Sequence, residues 1–153
     1  MTLFHTMPGH LIRRLNQIAV SIFQDRMQAL GLDLTPVQFA ALVSLRDNPG
    51  IDQATLAGFI AHDRVTIGGV VDRLQAKALV ARTVNENDRR SRSLVLTAAG
   101  AEMLDRVLPE VTALQDEILC GLAPEERDAF VALASKATEA ANDRSRAPLR
   151  VKD

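Results

Sequence analysis

The sequence predicts a mainly α-helical protein with one small β-hairpin. Three observations carry this. Apolar residues recur at helical spacing through most of the chain, cap-and-proline signals cut that pattern into segments, and the period changes to alternation only around "VNENDRRSRSLVLT". With 153 residues and 47% apolar composition, the chain is one domain's worth and can bury a core without staples.

From Pro8 to Leu30, one row of apolar residues runs Leu11, Leu15, Ile18, Ile22 and a second runs Ile12, Ala19, Phe23, Met27, Leu30. This is the spacing of a long helix, which Gly31 stops. "TPVQ", Thr35 to Gln38, reads as a capping box with proline at the first helical position, and opens a helix through Leu45 that "DNPG" ends. Asp52 caps the short helix "QATLAGFI". Asp63 is the expected cap of "RVTIGGVVDRLQAKAL", with Val65, Val70, Leu74 and Ala78 facing inward. "LVARTV" and "RSLVLT" alternate, so two short strands flank a long charged turn. Thr97 then caps a long helix whose stripe is Met103, Leu104, Val107, Leu108, Val111, Leu114 and Ile118, with a kink or strain expected at Pro109. A last helix runs from Pro124 to about Ala141, and "NDRSRAPLRVKD" reads as a polar, frayed tail. The units expected are an N-terminal helix (1–34), a lobe (35–97), C-terminal helices (98–147) and a tail (148–153).

Composition narrows the function. Cys120 is the only cysteine, and His5, His10 and His62 lack metal-ligand spacing, so neither a disulfide, a metal nor another cofactor is expected. The N-terminus lacks the pattern of an export signal and no apolar run approaches the ~18 residues of a membrane span, which predicts a cytoplasmic protein with no membrane partner. Five phenylalanines and no Trp or Tyr make a poor stacking platform for single strands, leaving duplex contact open. The net charge of −1 is unevenly spread: His62 to Arg92 holds seven Arg and Lys against four carboxylates, a local +3 that leaves −4 elsewhere.

Helix, short helix, short helix and charged hairpin is the order of a winged helix-turn-helix. The second short helix enters the major groove and the hairpin tip reaches the adjacent minor groove. Arg89, Arg90 and Arg92 at the turn suit a narrow minor groove, where negative potential is focused and the weakly hydrated guanidinium desolvates readily. Asp88 is out of place on a purely phosphate-binding tip and reads as an acceptor that aims Arg90, or Arg73 on the preceding helix. Gly68 and Gly69 are costly inside a helix, about 1–2 kcal/mol together. Either close approach to DNA or tight packing on a neighbouring helix would offset that cost.

Taken together, "DLTPVQFAALVSL", "QATLAGFIAHDRVTIGGVVDRLQAKALVAR" and "NENDRRSRSLVLTAAG" resemble the winged-helix core of the MarR family of bacterial transcriptional regulators, and the flanking helices resemble its dimerisation helices. The resemblance spans about Pro8 to Ala141. It implies a homodimer on near-palindromic duplex DNA, usually a repressor released by a small molecule. By position it implies that Arg64, Thr66, Gly68 and Gly69 form the recognition-helix face, that Arg90 is the minor-groove arginine and that Asp88 supports it. Many members carry a polar residue where Gly68 or Gly69 stands, so shape readout by Arg90 carries more of the specificity here.

The effector expected is a small anion, an aromatic carboxylate or its coenzyme A thioester. His10 and Arg14 share one helix face, Arg14 gripping the carboxylate and His10 adding a hydrogen bond, with Phe23 or Phe39 as apolar wall. Three other readings compete. An enzyme built on His10 and Arg14 lacks a nucleophile, phosphate loop or paired carboxylates and is rejected. A winged helix that binds only proteins and a regulator that senses oxidation at Cys120 are the remaining two, the plain role for Cys120 being a small buried or half-buried hydrophobe.

Overall fold

The computed structural model describes residues 2–84, 86–88, 90 and 92–151. A single 3-10 turn, Leu3–Thr6, precedes helices α1 (Pro8–Ala29), α2 (Pro36–Asp47), α3 (Gln53–Phe59) and α4 (Ile67–Ala76). Strands β1 (Val80–Val84) and β2 (Arg92–Leu96) follow, then α5 (Ala98–Ile118) and α6 (Pro124–Ala141). Gly31, at φ +69°, ends α1 in the left-handed region that its missing Cβ permits.

The α2 start is the expected capping box. Thr35 Oγ1 accepts the Gln38 N–H at 3.2 Å and Gln38 Oε1 accepts the Thr35 N–H at 3.3 Å. Lys77 Nζ donates to the same Oε1 at 3.0 Å, so this buried amide also ties α2 to the end of α4. Asp52 caps α3 through the Thr55 N–H at 2.7 Å, and Thr97 caps α5 through the Gly100 N–H at 3.0 Å.

The α4 boundaries differ from expectation. Asp63 Oδ1 accepts the Val65 N–H at 2.7 Å, closing a tight turn of its own, and the helix starts only at Ile67. The shift turns Val65 outward, 91% exposed, while Val70 and Leu74 are buried as expected. Ala78 also points out, because it occupies a left-handed position, φ +58°, that terminates α4 with the Leu79 N–H donating to Leu74 O at 3.0 Å.

β1 and β2 pair antiparallel from Val80↔Leu96 to Val84↔Arg92. Ile51, ahead of α3, joins the hairpin through a bridge to Leu94 that no sequence period announces. The hairpin then turns into α5: Thr97 donates its N–H to Leu79 O at 3.1 Å and its hydroxyl to Ala78 O at 2.6 Å. α5 continues through Pro109 as one helix. Phe23 and Met27 of α1, Leu42 and Leu45 of α2, Leu56 of α3, Val71 and Leu74 of α4, Leu94 of β2, and Leu104, Val107 and Leu114 of α5 share one core.

That core uses only part of the helical surface. α1 buries Phe23 and Met27, near its C-terminal end, and leaves Leu11, Ile12 and Ile18 exposed; α6 buries none of its residues and exposes Phe130, Val131 and Leu133. Lys152 and Asp153 lie outside the described residues, but the segment after α6 is not frayed as far as Val151. It forms a 3-10 turn, Asn142–Arg144, and folds back so that the Arg150 N–H donates to Gly58 O of α3 at 2.8 Å. Among the described residues no helix is long and apolar enough to cross a membrane.

Candidate functional site

Helix α4 is held from behind by its apolar face and from the side by one arginine. Arg82 of β1 donates to Asp72 at 2.7 Å and Gln75 at 2.7 Å on α4, and to Gln53 on α3 at 3.2 Å. This staple neutralises Asp72 within the lobe. It also takes Arg82 out of the cations free for a partner, a role that charge counting along the sequence does not reveal. By contrast Arg64, Arg73 and Arg92 are exposed and, among the described residues, in no ion pair.

Because α4 starts at Ile67, Arg64 and Thr66 lie on the turn leading into the helix rather than in its first turn. Thr66 is the cap residue by backbone position, but its hydroxyl meets His62 Nε2 at 3.0 Å instead of capping the helix. Arg64 is close enough to Asp52 to favour its charged form. The Asp52 carboxyl is held below the usual carboxylate range first by the Thr55 N–H and hydroxyl, and further by the Arg64 charge.

The two glycines differ in the room around them. A Cβ on Gly69 would come no nearer than 3.9 Å to its first neighbour beyond the helix backbone, the guanidinium of Arg73 on the same helix. One on Gly68 would meet the side-chain nitrogen of Gln53 at 3.2 Å, a tight contact with an amide that Arg82 already holds. Packing within the chain therefore does not require Gly69, whereas Gly68 lies close against α3.

At the hairpin, Asp88 Oδ1 accepts the backbone N–H of Arg90 at 3.0 Å. Asp88 therefore shapes the tip by holding the main chain of Arg90. Of the two partners expected for Asp88, the one it bonds is Arg90 in the same turn, through the main-chain amide, and among the described residues it makes no bond to Arg73. Arg90 and Asp88 are both exposed, Arg92 opens β2, and Arg89 lies outside the described residues. α4, the turn before it and the hairpin thus carry Arg64, Arg73, Arg90 and Arg92, each exposed, with Asp72 already paired.

The four residues expected to line a ligand pocket do not meet within one chain. His10 packs against Phe4, with tilted rings whose centroids are 4.3 Å apart, and its Nδ1 faces Arg13 at 3.4 Å rather than Arg14. Arg14 lines a groove of about 280 Å³ with Gln17, Ile18, Ser21 and Ile22. Phe23 is in the core and pairs with Phe39 at 6.1 Å. Thirteen helical residues, roughly 20 Å, separate His10 from Phe23. Phe39 instead lines a hollow of about 480 Å³ with Val43, Ser44, Asn48, Phe59 and Val151, and the Ser44 hydroxyl there is buried without a partner among the described residues. Cys120 is exposed after α5, not the small packed hydrophobe expected.

The MarR family model matches residues 34–91, from the start of this lobe to the hairpin turn. The HTH-type transcriptional repressor NicR of Pseudomonas putida is 38% identical over 128 residues, covering 84% of this chain and 80% of NicR. The structure superposes on that of BpsR of Bordetella bronchiseptica, whose DNA binding is regulated by 6-hydroxynicotinic acid, with a TM-score of 0.83 and 33% identity over 90% of this chain and 97% of BpsR. A mutant MarR of E. coli complexed with operator DNA matches with a TM-score of 0.79 and 28% identity, covering 90% of this chain and 99% of that one.

Proposed function

From the premise that this chain belongs to the MarR family and is a DNA-binding transcriptional regulator, not an enzyme, we propose that it is a homodimeric repressor of a near-palindromic operator, released by a small aromatic or heteroaromatic acid. The observation that carries the DNA half is the set of exposed arginines on α4, the turn before it and the hairpin, beside Gly69, a glycine that intrachain packing does not require. Arg90 occupies the minor groove, Arg73 and Arg64 take phosphates, and Gly68 and Gly69 let the α4 backbone approach the major-groove floor. In a dimer the two recognition helices address half-sites about one DNA turn, roughly 34 Å, apart. The exposed apolar residues of α1 and α6 supply the dimer surface.

The similarity to NicR and BpsR supports a repressor and an acid of the hydroxynicotinate type. Arg14 is the carboxylate grip, in a groove that a second protomer closes. A second reading seats the aromatic ring in the hollow at Phe39, where the unpartnered Ser44 hydroxyl provides a polar contact.

Operator affinity measured against salt tests the DNA half. Arg90→Ala is expected to weaken binding and lower the salt slope by about one unit per half-site, with the melting temperature unchanged. Unchanged affinity would remove the hairpin from the interface. Operator release by 6-hydroxynicotinic acid tests the effector half: loss of response in Arg14→Ala assigns the groove, loss in Ser44→Val assigns the hollow, and no response in the wild-type chain rejects this class of acid. A ligand that favours the DNA-incompetent state by about 2.7 kcal/mol shifts the equilibrium roughly a hundredfold, whereas equal binding to both states shifts nothing.

A further inference from the structure

The C-terminal tail is docked on the DNA-binding lobe, and its docking brings arginines together. Asn142 clamps the main chain of Leu149 in both directions, its Nδ2 donating to Leu149 O at 3.1 Å and its Oδ1 accepting the Leu149 N–H at 2.8 Å. The next residue, Arg150, anchors the tail to Gly58 O through its N–H. A Cβ on Gly58 would lie 3.1 Å from the Arg150 Cβ, so glycine is what admits the tail so close to α3. Between tail and α3 lies a cavity of about 490 Å³ lined by His62, Arg64, Arg146 and Arg150, and no carboxylate lines it. Arg150 has its own counter-ion, Asp143, at 2.8 Å. Arg146 is exposed and, among the described residues, in no ion pair.

Arg64 and Arg146 therefore bring two exposed guanidinium groups to one cavity whose lining holds no carboxylate, a lining that favours an anion. Arg64 is on the turn that leads directly into α4, so this cavity adjoins the surface assigned above to DNA. Building on that reading, we propose that the tail is a DNA-backbone clamp. Arg146 joins Arg64 in gripping one duplex phosphate beside the groove that α4 enters, and Arg150 positions the tail through Gly58 and Asp143. The clamp adds affinity without base readout. It lies outside the recognition helix and hairpin, where charge patterning along the sequence points.

The test uses the full chain and a duplex of about 30 bp selected with it from a random library. Binding is followed by fluorescence anisotropy between about 50 and 200 mM salt. Arg146→Ala is expected to lower the salt slope by about one unit per half-site and to leave base preference unchanged. Arg146→Lys should keep the slope, since it keeps the charge. Gly58→Val should reproduce the Arg146→Ala slope with every charge retained, because it displaces the tail. Melting curves check that each variant is folded. A wild-type slope in Arg146→Ala overturns the clamp while leaving the regulator reading intact. The clamp also falls, in favour of a free-anion site, if the slope is unchanged and calorimetry shows binding of inorganic phosphate that needs Arg146. A wild-type chain that selects no duplex overturns the regulator reading and the clamp with it.

Discussion

Gly100 shows how one residue joins two parts of the fold. A Cβ at that position would lie 2.1 Å from the carbonyl oxygen of Leu79, which is backbone and cannot swing aside. That carbonyl accepts the Thr97 N–H, and the Thr97 hydroxyl spans from Ala78 O to the Gly100 N–H, so hairpin exit and α5 start are locked at one crossing. Gly100→Ala must pry α5 off the lobe. We expect a loss of about 3 kcal/mol and a fall in melting temperature of about 10 °C; a melting curve within a degree or two of wild type would show that the crossing yields. "LTAAG" stands out in the sequence as a motif, but the reason for its glycine is a contact 21 residues back along the chain. Arg82 is a similar case, since its three acceptors lie on α3 and α4.

Among the elements, α3 and α4 are held by different means. The Asp52 cap on α3 is a charged acceptor whose folded-state pKa is depressed, so its contribution is present above the ordinary aspartate value, about 3.9, and is lost as pH falls through the lower folded value. Asp52→Ala should cost about 1 kcal/mol at neutral pH. The gap between the unfolding curves of the two proteins should begin to close as pH falls below about 4 and vanish below the folded-state value; a gap that persists at still lower pH would mean the cap acts through packing. In α4 the two glycines stand in the first turn, where a glycine costs less than in a helix interior. Gly69→Ala should therefore raise stability by about 0.5 kcal/mol while weakening operator binding, because a methyl group then faces the DNA. A variant that gains both stability and affinity would show that the glycine is unrelated to DNA approach. Cap chemistry made the starts of α2, α3 and α5 legible. It misplaced α4 because an Asp side chain closes a tight turn with the same kind of bond it would use to cap a helix, and only the following backbone decides between them.

For the molecule as a whole, one chain leaves its own helices unfinished. Ile12 is 68% exposed and Leu133 66%, on α1 and α6 respectively, and Leu3, Phe4 and Leu11 extend the apolar surface at the N-terminus. A second copy that covers these faces accounts for their composition better than solvent does. Light scattering at micromolar concentration should give twice the chain mass of 16.7 kDa. Ile12→Asp and Leu133→Asp should each shift it toward the single-chain value, with the lobe still folded by circular dichroism. A wild-type monomer would rule out the two-half-site reading of the operator.

The sequence alone determined the helix periods, three of the four expected side-chain caps, the hairpin and its charged turn, because each depends on residues within a few positions of one another. The tertiary structure decided which charges stay free and where the tail goes. Arg82 and Asp72 cancel only because β1 lies along α4. The Asp88 bond is local, two residues long, but its donor is a backbone amide that every non-proline residue carries, so residue type did not mark it. The tail docks through an N–H and a carbonyl, the Arg150 amide on Gly58 O, groups present along the whole chain. Local chemistry is written in side-chain spacing, whereas long-range backbone contacts leave no spacing to read, and the placement of Arg146 beside Arg64 follows from such a contact.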